Sequence, residues 1–272
     1  MFVPATTIDE VISTLETIIT HAVQTKNRTG YFATLYLSIT QSIKEGITKR
    51  QFQNGARMEK LDVVFANRYL QAYYQWQNKE TLSACWQLAF QETEKSSVLI
   101  IEQLMLGISA HINLDLGIAT AQIQTSSGEP LQDIHNDFDT INTIISSYTY
   151  KTLTELDKVS PFLSLLGLHA GNSSSVLIQF STENARDGAW CFAEELYGKT
   201  GSNFTAAIYE RDQNILQLGK SIVNQQGLLA FTIWLIHVFE WKNPVKIITA
   251  LYANKKQHFT IGKNYLKNNE RK

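Results

Sequence analysis

The chain has 272 residues, 44% of them hydrophobic, with a formal net charge of −1 and a pI of about 6.6. That much apolar sequence can bury a sizeable core, and the near-neutral balance gives no global reason to expect nucleic acid or an anionic membrane as partner. Four prolines and 14 glycines are low for an all-β chain with many turns. The two cysteines, Cys85 and Cys191, stand far apart in helical-looking sequence, so no disulfide framework and a reducing cytoplasm are expected.

The N-terminus "MFVPATTIDEV" lacks the basic, apolar and small-residue sections of a secretory signal. In the next stretch Thr7 precedes Glu10 by three, a capping-box pattern, and Ile8, Val11, Leu15, Ile18 and Ile19 form a helical stripe. A second helix is marked by Phe32, Leu35, Tyr36, Ile39, Ile43 and Ile47, with Gly46 as its expected stop. A third runs from Met58 to Trp76, with Phe65, Tyr69 and Tyr73 along one line, and a shorter one covers Thr81 to Phe90. The aromatic run "YLQAYYQW" reads as core.

A long helix is expected from about Lys95 to Gln122, closed by the loop "QTSSGEP". Its run "SSVLIIEQLMLGISA" is interrupted by Glu102 and Gln103, and "LLAFTIWLIHVF" is too short to span a bilayer, so both read as buried helices and no membrane span is expected. Leu131, Ile134, Phe138, Ile141 and Ile145 mark a further helix. The chain breaks around Pro161 and Gly171, and helical sequence resumes through Leu196. "FTAAIYE" is a short, isolated strand candidate, and "LLAFTIWLIHVFEW" and "NPVKIITALYAN" suggest a final helix pair. These elements predict an all-α fold: one irregular multi-helix bundle over residues 1–272 with a buried central helix, ending in a solvated basic segment, residues 255–272.

Chemistry concentrates in "LGISAHINLDLGIAT". Leu104, Ile108, His111, Asp115 and Ile118 fall at steps of four and three, which places His111 and Asp115 one turn apart on one face of a helix that is apolar almost all round. A buried carboxylate requires a cation, a donor cluster or a metal beside it. The spacing recurs at His135 and Asp139, with Asn142 following, and the intervening loop would let the two helices pack antiparallel. If the pairs converge, His111, Asp115, His135 and Asp139 form a ligand set for zinc, manganese or iron, with Asn113 and Arg186 orienting substrate in a metal-dependent hydrolase. Two other readings stand beside it. The set can be a closed structural network, with Arg68 or Arg186 as the forked partner of a carboxylate, or a few polar contacts in a pocket for a small apolar ligand. Whether the chain is an enzyme, and its oligomeric state, stay open at this level.

His169, His237 and His258 share no ligand spacing, and His237 reads as a satisfied core histidine. The serines of "GNSSSV" read as loop or cap residues rather than nucleophiles.

"SAHINLDLG", preceded by "FANRYLQAYYQW" and followed by "DIHNDFDTIN" and "ENARDGAW", resembles a bacterial helical family classed only as a domain of unknown function. The resemblance covers roughly Phe32 to Leu196. It points to Ala110, His111, Ile112, Asn113, Asp115 and Leu116, with Arg186 and Trp190 as a second element. Gly117 stands where a proline is common in that pattern, which implies a different helix end here. It implies no activity. A looser similarity, to zinc-dependent phospholipase C and P1-type nucleases, rests on helical His-x-x-x-Asp pairs; the additional closely spaced histidines of that group are missing.

Overall fold

A computed structural model describes residues 2–141, 144, 156–169 and 182–252. The described part is all-helical, with no strand among the described residues.

The first helix, α1 (Ile8–Thr25), buries Ile8, Val11, Leu15, Ile18 and Ile19, the stripe read from the sequence. Its cap differs in detail. The Thr7 hydroxyl accepts from Glu10 N at 3.2 Å, while the Glu10 carboxylate accepts chiefly from the backbone N and hydroxyl of Thr6 and more weakly from the backbone of Thr7. Helix α2 (Gly30–Thr48) continues past Gly46, which is an interior residue; a Cβ there would meet Phe52 at 2.9 Å. Helix α3 (Gly55–Gln77) is capped by Asn54, which accepts from Arg57 N, and α4 covers Ala84–Glu94.

The central helix is one continuous rod, α5 (Ile100–Ala110), a π-helical segment (His111–Leu116) and α6 (Gly117–Ser127). It does not end at Gly117, and the left-handed Gly128 closes it instead. Its length and composition would suffice to cross a membrane, yet 94% of its most apolar window is buried in the protein, as a central core helix must be. Helices α2, α3, α4, α9 (Thr182–Leu196) and α10 (Gly201–Val223) all pack against parts of it.

Between α6 and α9, a 3-10 turn (Leu131–Ile134) leads into α7, described over 135–141; α8 is described over 156–159, and a second 3-10 stretch covers Leu163–His169. The strand candidate "FTAAIYE" lies inside α10, a 23-residue helix whose buried face is sparse: Ala207, Asp212, Ile215, Gly219 and Ile222. Two polar or glycine positions among five inward ones hide the helical stripe. Helices α11 (Gly227–Phe239) and α12 (244–252) form the expected final pair. Asn142, Ile145, Gly171, the serines of "GNSSSV", His258 and the basic segment 255–272 lie outside the described residues.

Candidate functional site

The π-helical segment is where the central helix carries its polar residues. Widening the turn takes a carbonyl out of the regular ladder: Arg211 Nε donates to Asn113 O at 3.0 Å, and its Nη2 donates to Gly188 O at 3.1 Å. Arg211 thereby ties α10 to the bulge and to α9. The Asn113 side chain donates to Ser109 Oγ at 3.2 Å and is buried.

Asp115 is the hub. Its Oδ1 accepts from Arg68 Nε at 2.8 Å, and its Oδ2 accepts from Trp86 Nε1 at 2.8 Å and lies 3.2 Å from His111 Nδ1. Three helices, α3, α4 and the central one, thus converge on a single carboxylate. Burial works against its charge, but Arg68, His111 and Trp86 outweigh burial and hold the carboxyl below its ordinary value. An ionised Asp115 accepts the Nδ1 hydrogen of His111, which leaves Nε2 with the free lone pair. Burial also holds His111 below its ordinary value, against the opposing pull of Asp115, so the ring is neutral.

The ring is enclosed by aromatics. Phe65 stacks on it at 3.7 Å between centroids, Tyr36 meets it edge-on at 4.5 Å, and Phe32, Tyr69 and Trp86 complete the wall. Among the described residues His111 Nε2 has no partner, and neither do the Tyr69 hydroxyl or either oxygen of Asp62. Asp62, on α3, is 2% exposed; burial, with the charge of Glu59, pushes it up to about 8. Burial lifts the Tyr36 hydroxyl well above its ordinary value, and Asp62, Asp115 and Tyr69 add to that lift against a hydrogen bond to Thr40, so Tyr36 links these groups.

The second His-x-x-x-Asp pair does not join this centre. His135 Nδ1 lies 3.5 Å from Asp139 Oδ2, but their side chains are 40% and 56% exposed, against 4% and 2% for His111 and Asp115. His135 packs edge-on to Trp190 of α9 at 4.3 Å. Arg186 belongs to the same neighbourhood: its Nη2 donates to Phe138 O at 2.7 Å and its guanidinium lies over the Phe138 ring. Burial weakens its charge while Asp139 and Asp187 support it. The forked partner of Asp115 is Arg68, the other arginine singled out in the sequence. Among the described residues no three His, Cys, Asp or Glu side chains are grouped as metal ligands. The four-residue ligand set is therefore not assembled: the loop after α6 leads to a 3-10 turn, and α7 carries its pair to the α9 side. His237 is satisfied but only half-buried, at 2.6 Å from Ser96 O, and both cysteines are free.

Trp86 and Asp62 are the residues that sequence reading missed. Trp86 lay in a short, weakly patterned helix. Asp62 carried a signal, a carboxylate between Leu61 and Val63, both buried.

An open polar depression of about 390 Å³ lies elsewhere, lined by Gln53, Asn54, Arg57, Gln132, Asp133 and Asn136. Its one arginine is already engaged by Asp137 and Glu129.

Fold and site define an all-helical protein organised around a buried carboxylate–imidazole pair. The chain belongs to a family of unknown function (DUF5995), whose family model matches residues 8–225, more than the span of the sequence resemblance. No curated protein and no solved structure matches it.

Proposed function

We propose that the chain binds a small, largely apolar ligand in the aromatic enclosure of His111, with Nε2 accepting a hydrogen bond from it. The observation that carries this reading is the set of buried polar atoms on His111, Tyr69 and Asp62 that have no partner among the described residues, around one aromatic wall. Each buried polar atom without a partner costs about 1–3 kcal/mol, and a native core tolerates few. Several in one place are accounted for by a guest that satisfies them. Aromatic walls with a few oriented polar groups are the usual make-up of a small-molecule site. Arg68, 28% exposed in its side chain, is the member of the cluster that reaches solvent.

The metal-dependent hydrolase reading has less support. Asp115 already accepts from three donors, and His111 Nε2 is the one unclaimed ligand atom of the original four-residue set in the buried centre. A closed structural network fits the Arg68–Asp115–Trp86–His111 half of the cluster and leaves the unpartnered half without a reason.

Native mass spectrometry of protein purified without chelator, beside His111→Phe, tests the proposal. The parent is expected to carry a non-covalent organic adduct that the variant loses. About one equivalent of zinc, manganese or iron in the parent, lost in the variant, would replace this reading with the metal-dependent one. A bare parent overturns the proposal, and a variant that is destabilised beside it assigns the cluster to structure instead.

A further inference from the structure

Two buried carboxyl groups border the aromatic enclosure, and only one of them has a counter-charge. Asp115 is paired with Arg68 at 2.8 Å. Asp62 is 2% exposed, neither of its oxygens has a hydrogen-bond partner among the described residues, and the charge that acts on it, Glu59, has the same sign. A carboxyl group buried in this way either keeps its proton or takes a cation. Asp62 lies on the face of α3 that also carries Phe65 and Tyr69, three and seven residues further on. Those two rings, with Tyr36 of α2, wall the His111 imidazole. The Tyr36 hydroxyl responds to Asp62 and Asp115 alike, so Asp62 and His111 border one enclosure.

The unpartnered groups there accept hydrogen bonds. His111 directs Nδ1–H to Asp115, so Nε2 presents a lone pair. Asp62 presents two oxygens once ionised, and the Tyr69 hydroxyl can accept as well as donate. Arg68, the guanidinium of the cluster, is engaged by Asp115. A guest headed by a carboxylate or a phosphate would meet acceptors and a second negative charge. A guest headed by a cation with N–H donors would meet a counter-ion, a ring lone pair and aromatic rings, whose quadrupoles attract positive charge. Resting on the ligand reading of this enclosure, we propose that the guest is a protonated amine with an apolar body, its ammonium group donating to Asp62 and to His111 Nε2.

An alcohol carries one O–H donor and no charge, whereas an alkylammonium carries three N–H donors and the charge that Asp62 lacks. Without a guest Asp62 keeps its proton up to about 8. An ammonium ion that binds at pH 7 therefore displaces this proton to solvent and leaves an ammonium–carboxylate pair. The other ionisable groups around the enclosure do not oppose the exchange. Tyr36, Tyr69 and His111 are neutral, Arg68 is matched by Asp115, and Glu59 adds to the pull on a cation.

Calorimetric titration of the intact chain, shown free of guest by native mass spectrometry, tests this with butylamine, hexylamine and octylamine, each beside the alcohol of equal length. The parent is compared with Asp62→Asn, which keeps the size of the side chain, cannot ionise and should retain its helical circular dichroism. At pH 7 at least one amine is expected to bind the parent at least about tenfold more tightly than its alcohol, and the variant should lose that preference. In the parent alone, the same amine should bind about tenfold more weakly at pH 6 than at pH 7, while the alcohol does not change; a merely structural Asp62 would give no such difference. An alcohol that binds as tightly as its amine overturns the proposal and leaves the ligand reading standing, and so does an amine preference that Asp62→Asn retains. If no probe of either class binds, the proposal is overturned and the adduct decides the ligand reading: an organic adduct on the parent as purified upholds it, and a bare parent ends both.

Discussion

Asp62 and Asp115 show how one residue type takes opposite roles a short distance apart. Both are buried carboxylates. Asp115 has Arg68, Trp86 and His111 and stays ionised; Asp62 has no hydrogen-bond partner on either oxygen among the described residues and keeps its proton up to about 8. The ordinary value for such a carboxyl is 3.8, so between pH 3.8 and about 8 the folded chain holds a proton that the unfolded chain has released. Stability contributed at Asp62 therefore falls as pH rises through that window and levels off above it. Asp62→Asn cannot ionise and should remove the slope. Relative to its standing at pH 4, the variant should gain roughly 2–4 kcal/mol over the parent by pH 7, read as urea midpoints across pH. Equal pH dependence in the two proteins would mean that Asp62 is ionised and solvated in the fold, or partnered by a guest that stabilises its charge.

At the scale of elements, the sequence was most informative where an apolar stripe was dense and least where packing used small or polar residues. Helix α1 and the central rod follow from Ile8, Val11 and Leu15 and from the nearly unbroken apolar run after Ile100. The His111–Asp115 contact was legible because residues four apart stay adjacent even through a π turn. The π turn itself was not, since it depends on Arg211 reaching Asn113 O from 98 residues away. Helix α10 and the separation of the two His-x-x-x-Asp pairs were hidden for the same reason: rotation and direction are set by long-range contacts. Gly117 is a measurable case. A Cβ there would meet the Ala189 carbonyl oxygen at 2.8 Å and Phe192 Cδ1 at 2.9 Å. Alanine gains up to about 1 kcal/mol in helix propensity over glycine, but moving α9 off a backbone contact costs about 1–3 kcal/mol. Overpacking wins. Gly117→Ala should lower stability by about 1 kcal/mol and the melting temperature by about 2–4 °C; an unchanged or raised melting temperature would show that α9 yields without cost.

At the scale of the whole molecule, the central rod decides how the chain comes apart. Helices α2, α3, α4, α9 and α10 each pack on some part of Ile100–Ser127, and the Asp115 hub ties α3 and α4 to the middle of it while Arg211 ties in α9 and α10. No subset of these helices can leave without uncovering apolar surface on the rod or stranding a buried charge, and breaking a buried pair by removing one partner costs about 3–5 kcal/mol. We therefore propose that the chain is one cooperative domain, and differential scanning calorimetry measures this directly. A single transition is expected, with calorimetric and van't Hoff enthalpies in agreement. At about 0.7 kcal/mol per residue, an ordered body of this size should absorb on the order of 150–190 kcal/mol near 60 °C. Helix α11 contributes only Leu229, Thr232 and Ile236 to the interior, so Phe231→Ser/Trp234→Ser on its outer face should leave both the enthalpy and its single peak in place. Two resolved transitions would instead mean that part of the chain unfolds independently of the rod, and that the Asp115 hub does not couple the helices it joins.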